Sequence, residues 1–218
     1  MNRRPRLLAT VALGAVTALV LTGCGGGGGD SADNDKIAGA DTGGEASASP
    51  STSASEAAGR PKIELPSDIT YTFDWPKTGD EDKDAVLSDS EQSIKAVDLA
   101  IANQDALDKA YLFYYEGEAA AATQEFIQKY VDNKARTTGA YRFYDPVVAV
   151  DDDGTASLSY CEDQGKAYVK YIETNKINKT EVTAKSYVVY NTSLKKNAQG
   201  VWEIQKILSQ SGSAKCQP

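Results

Sequence analysis

Histidine is missing from all 218 residues. Its absence removes the commonest general base near neutral pH, the commonest metal ligand, and every Ser-His or Cys-His nucleophile pair. Cysteine is scarce, at three, and methionine occurs once. There is no basic stripe either: 23 Lys and Arg stand against 31 Asp and Glu, a formal charge of -8. So acidic a chain repels phosphate backbones and anionic lipid surfaces, and nucleic acid is not an expected partner. Also lacking is an apolar run of the roughly twenty residues that a membrane-spanning helix needs, since residues 7–21 supply only about fifteen.

That shorter run has a definite context. Arg3, Arg4 and Arg6 precede it as a positive n-region, and together they have the layout of an export signal. Arg3-Arg4 leaves both the general secretory and the twin-arginine route open. The run closes on Leu21-Thr22-Gly23-Cys24. This element resembles the lipobox of bacterial lipoprotein precursors: a branched apolar residue, two small residues, then cysteine. The resemblance implies cleavage after residue 23 and lipidation of Cys24. The protein is then expected on the outer face of the cytoplasmic membrane, its only membrane contact being the acyl chains. Each buried methylene contributes about 0.8 kcal/mol to such anchoring.

Removal of residues 1–23 leaves Cys161 and Cys216 as the only cysteines besides Cys24. In an oxidising exterior this even pair reads as a disulfide. Closing so long a loop stabilises a fold by about 4 kcal/mol on chain-entropy arithmetic. No thiol is then left for catalysis.

Residues 24–60 hold the lipidated cysteine and a Gly/Ala/Ser/acidic stretch with no aromatic and one large aliphatic, Ile37. Such a stretch cannot bury enough apolar surface to offset its ordering entropy, and it reads as a disordered tether. Taken as a flexible coil, it reaches about 33 Å. The glycines at 25–29 lack the preceding strand and the Lys-Ser/Thr of a phosphate loop. Residues 61–218 have the size of one domain with its own core.

Within that domain, Ile69, Tyr71, Phe73 and Trp75 alternate as in an extended edge strand stopped by Pro76. Residues 78–84 read as an acidic, solvated loop without the spaced ligands of a calcium site. Ser88 and Glu91 form a capping box, with Ile94, Val97 and Ile101 following at helical spacing. A second short helix is expected over 105–114. A third follows Gly117, with Thr123, Phe126, Ile127, Tyr130, Val131 and Lys134 on one face and Gly139 closing the region. Beyond it the apolar period changes to two. Strands are expected over 141–150 with a bulge at Pro146, then 155–161, 166–173, 182–194 and 201–208, with a hairpin turn at Asp153-Gly154. The expected fold is α+β: N-terminal helices packed on a curved antiparallel meander.

This element order, with the helix break at Tyr114-Tyr115-Glu116-Gly117, resembles the NTF2-like, SnoaL-type superfamily over residues 86–210. Within it the chain is similar to secreted Gram-positive lipoproteins. The resemblance implies a cone with a pocket between helices and sheet, and often a homodimer. Enzymes of the superfamily commonly place an Asp-His pair in that pocket, and this chain has no histidine to match. Tyr141, Tyr160, Tyr171, Tyr190 and Trp202 fall on faces expected to look inward, either as core or as the lining of a site for an apolar or sugar-like ligand.

No cofactor or metal is expected, and no catalytic residue stands out. The expected function is a non-catalytic module binding a small ligand or an envelope protein. A histidine-free hydrolase or isomerase using a buried carboxylate or tyrosine, and a structural partner of an envelope protein, are the alternatives. A polar pocket holding a carboxylate of raised pKa would favour the enzyme.

Overall fold

The computed structural model of the protein describes residues 59–218. The export signal, Cys24 and residues 24–58 of the tether lie outside the described residues. Strand β1 (Ile69–Phe73) leads into helix α1 (Glu81–Asn103), the single turn α2 (Lys109–Leu112) and helix α3 (Gly117–Asp132). The sheet follows: β2 (Ala135–Val150), β3 (Thr155–Tyr171), β4 (Ile177–Asn178), β5 (Tyr187–Lys196) and β6 (Trp202–Ser211), with one-turn 3-10 segments at Ala184–Ser186 and Ala214–Cys216. The class is α+β, helices followed by one mixed sheet.

The strand order is β1-β2-β3-β5-β6, with β4 added to β3. From β2 to β6 the main path is antiparallel, as its alternation suggests. β1 joins in parallel on β2, pairing Tyr71 with Tyr141 and Phe73 with Phe143. A parallel partner needs a long crossover, and the helical segment between the two strands supplies it.

α1 begins at Glu81, ahead of the expected Ser88. The Asp80 side chain accepts the N–H groups of Asp82 and Lys83, and Glu81, Asp82 and Asp84 complement the positive helix end. The stretch read as an acidic loop is therefore largely a helix start, and Ser88 sits in mid-helix. α1 stops where Gln104 turns left-handed, at φ 55°. The Gln104 amide also donates to the Ile101 and Ala135 carbonyls, tying this helix end to β2.

Gly139 does not end the helical region but lies inside β2, with φ +98°. A Cβ there would stand 2.2 Å from the Lys166 carbonyl oxygen, so the close approach of β2 to β3 requires glycine. The bulge expected at Pro146 is present as a register shift between Tyr144 and Val147. Residues 155–171 form one strand where two were expected. Pairing with β2 continues through Lys166 and Ala167, so ladder hydrogen bonds carry the chain past Gly165. β5 starts at Tyr187, and Val182, expected within that strand, precedes it and is exposed.

The core lies between helices and sheet. Val86, Ala96, Ala100 and Ile101 of α1 meet Leu158, Leu194, Trp202 and Ile204 of the sheet. Burying each large apolar side chain contributes about 1.5–3 kcal/mol. Cys161 and Cys216 are disulfide-bonded across 55 residues, with Cα atoms 5.5 Å apart. They pack with Val189, Tyr144 and Tyr187 in a separate cluster, because successive residues of a strand face opposite sides of the sheet. Among the described residues no helix is long and apolar enough to cross a membrane.

Candidate functional site

Aromatic residues in register across the sheet form a continuous floor. Tyr71 stacks on Tyr141 at 5.7 Å between ring centroids, Phe73 on Phe143 at 4.8 Å, and Tyr160 on Tyr190 at 5.1 Å. Trp75 meets Tyr160 edge-on at 5.4 Å and so links β1 to the middle of the floor. Cross-strand aromatic pairs of this kind stabilise a sheet while holding its surface flat and rigid.

Above part of this floor the helices stand off and leave a cavity of about 320 Å³. Its helix wall is Ile94, Val97 and Asp98 of α1 with Thr123, Phe126 and Tyr130 of α3. The sheet wall is Thr137, Tyr141 and Phe143 of β2, Tyr160, Glu162 and Gln164 of β3, and Tyr190 of β5. A neighbouring cavity of about 290 Å³ shares Tyr130, Tyr141 and Gln164 with it, and Asn178, Thr180 and Lys185 line its outer side. The first cavity is the more aromatic of the two, and the second carries more polar side chains.

Of the five inward-facing residues expected from the sequence, the structure brings Tyr141, Tyr160 and Tyr190 together on the cavity wall. Tyr171 is not among them: it ends β3 and is 38% exposed. Trp202 does face inward, but it is fully packed at the other end of the sheet and lines neither of these cavities. Arg142, between Tyr141 and Phe143 on β2, bonds Asp74 at 2.6 Å on the surface.

Two carboxyl groups face this cavity. Asp98 accepts hydrogen bonds from the Thr137 hydroxyl, at 2.7 Å, and from the Tyr71 hydroxyl. Burial pushes its carboxyl above the ordinary range, and those two donors pull against the rise. Glu162 accepts the Tyr190 hydroxyl at 3.0 Å. Burial raises it to about 7, Tyr190 opposes the rise, and the charges of Asp98 and Asp163 add to it. Burial also lifts the surrounding phenols, Tyr115 and Tyr130 to about 12, so near neutral pH they donate hydrogen bonds and do not act as bases. The Tyr160 hydroxyl has no hydrogen-bond partner among the described residues, although the residue is only 3% exposed and lines the cavity.

The sequence reading missed Asp98 and the role of Glu162, although signals existed. Asp98 interrupts the apolar helical stripe of Ile94, Val97 and Ile101, where a polar residue is out of place. Glu162 continues the inward phase of Leu158 and Tyr160, which becomes visible only when β3 is read as one strand. Among the described residues no three acidic or cysteine side chains gather as a metal-binding set.

No family model and no curated protein matches the chain. Similar solved structures include a ketosteroid isomerase-like protein from Erwinia carotovora atroseptica, 14% identical, covering 62% of this chain and 98% of its own, at a TM-score of 0.41. The intermembrane space region of the chloroplast protein ARC6 is 12% identical over 62% of this chain and 99% of its own, at 0.40. The association domain of C. elegans CaMKII is 14% identical over 61% and 100%, at 0.35. At these identities nothing of activity, substrate or partner follows for this chain.

Proposed function

We propose that the domain is a binding module for a small, ring-containing ligand, held outside the cytoplasmic membrane by lipid on Cys24. The observation that carries the reading is the cavity of about 320 Å³ with an aromatic floor and a few convergent polar groups. That combination of apolar walls and sparse, buried polar groups is what small-molecule sites share. The Tyr160 hydroxyl and the Glu162 carboxyl supply orienting hydrogen bonds, and the rings supply area. A tether raises the effective concentration of such a module at the membrane without any need for turnover.

The test is a panel of neutral and charged cyclic fragments titrated against the full chain and read by ligand-observed NMR and tryptophan fluorescence. Trp75 reports directly because it packs on Tyr160. Ala122 lines the cavity from exposed helix surface, so Ala122→Trp should fill the space and abolish binding without disturbing the core. Absence of any saturable binder across the panel would sink this reading.

Proton-transfer catalysis on the bound ligand is the second reading, and Glu162 favours it. A carboxyl group titrating at about 7 can accept and return a proton near neutral pH without histidine. Turnover of any panel member that vanishes in Glu162→Gln, with binding retained, would turn the module into an enzyme of isomerase or hydrolase type.

A further inference from the structure

We propose that the inner cavity takes an organic cation, an amine or quaternary ammonium group on a small apolar body. The inference rests on the reading that this cavity is the ligand site, and it adds the charge of the ligand. Two carboxyl groups, Asp98 and Glu162, face the same space, and none of the residues lining it is a lysine or arginine. Histidine does not occur in the chain.

The rest of the fold treats acidic groups differently. Asp68 receives both Arg136, at 2.8 Å, and Lys170, at 3.0 Å. Asp89, which is buried, receives Arg60 through two hydrogen bonds. At these two structural carboxylates the chain supplies the cation. At the cavity it supplies only hydroxyls and leaves the compensating charge to come from outside.

The remaining walls suit the same ligand. Ring faces of Tyr141, Tyr160 and Tyr190 carry the negative π-potential that attracts ammonium groups, an attraction that strengthens when the cation is desolvated. The protein already uses rings in this way, with Lys95 5.2 Å from the centre of the Phe73 ring and Arg142 4.6 Å from that of Tyr144. An anionic ligand would meet two acidic groups and no cation. A neutral one would offset neither charge when the carboxyl groups ionise. Tyr160, which lines the cavity, provides one polar contact beside the charge through its hydroxyl.

Binding of a cation should also move a proton. Facing Glu162 are Tyr190 of β5, Asp98 of α1, Tyr130 of α3, Tyr141 of β2 and Tyr71 of β1, with Asp163 and Tyr160 beside it on β3. None is a cation. With Glu162 at about 7 in the empty site, an entering cation favours its ionised form and expels the proton. Affinity for the cation should therefore rise as pH climbs through 7.

The experiment titrates the full chain with benzyltrimethylammonium and with neopentylbenzene, in which carbon replaces the charged nitrogen at the same size and shape. The expected result is a preference for the cation of about 30-fold or more, increasing from about pH 6 to about pH 8, with proton release seen as buffer-dependent binding heat. Glu162→Gln should cut the preference about tenfold and leave neopentylbenzene unaffected. Asp98→Asn is the second variant, with the same expected direction. Equal or tighter binding of neopentylbenzene overturns the cation assignment and leaves the binding-module reading standing. No response to either probe also overturns the assignment, and the binding-module reading falls with it only if the wider fragment panel finds nothing.

Discussion

Helix α1 carries two buried aspartates that meet opposite treatment. Asp89, near its start, holds the Arg60 guanidinium through two hydrogen bonds of 2.9 and 3.0 Å and also accepts the Trp202 backbone N–H at 2.9 Å. Every element at that end is closed: Trp202 and Val201 are fully packed, and Arg60 fastens the first described residues to the domain. Asp98, farther along, receives only hydroxyls and opens onto a cavity. An ion pair satisfied within the chain does structural work. A carboxyl group desolvated without a counter-ion costs stability, and a fold keeps that cost where a ligand can offset it.

The contrast can be broken most forcefully at its closed end. Arg60→Ala leaves the Asp89 charge buried beside Trp202 with a single backbone donor, and should destabilise the domain by about 3–5 kcal/mol in urea unfolding. A loss below about 1 kcal/mol would mean that this end does not depend on the pair. At the open end the effect should have the opposite sign. Glu162 titrates at about 7 in the folded domain against 4.5 for the free side chain. Its folded value is raised, so its contribution is complete below the unfolded value and is lost as pH rises through about 7. The loss is on the order of 3 kcal/mol. Glu162→Gln keeps the neutral form at every pH, and should therefore be more stable than the parent at about pH 8 and nearly equal to it at about pH 4. Unfolding midpoints at the two pH values check this, and a variant weaker than the parent at the higher pH would contradict it. The smallest effect is expected from Tyr160→Phe. Removing a hydroxyl that has no protein partner should change stability by no more than about 0.5 kcal/mol, while weakening the ligand several-fold. A large loss of stability would instead assign that hydroxyl to the core.

Much of the outer plan was legible because it depends on neighbours along the chain. Alternation in residues 69–75 marked β1, and the shift from helical to two-residue period marked where helices give way to sheet. Pro146 marked a bulge, and two cysteines in the expected exported domain marked a disulfide that the fold contains. The errors share one cause. Ser88 and Glu91 made a good capping box, yet Asp80 and three acidic residues after it made a better start, and packing of Val86 against the sheet rewarded the longer helix. Gly139 resembled a terminator, when its lack of a side chain served the close approach of a strand far along the chain, whose Lys166 carbonyl oxygen would stand 2.2 Å from a Cβ there. Tyr171 shared the alternation of the inward tyrosines but stands at the exposed end of β3, which no local period records.

The candidate site divides along the same line. From the sequence alone came the residue types available: no histidine, abundant tyrosine, many carboxyl groups, and an excess of acid over base. Those counts exclude several chemistries, but they cannot say which two of 31 acidic residues matter. Tertiary structure decided that, by bringing α1 over β2 and β3 so that Asp98 and Glu162 face one cavity, and by sending Arg60, Arg136 and Lys170 to other carboxylates. The physical reason is range. Periodicity and capping act over a few residues and are written in local order, whereas desolvation and charge compensation depend on which distant side chains arrive together.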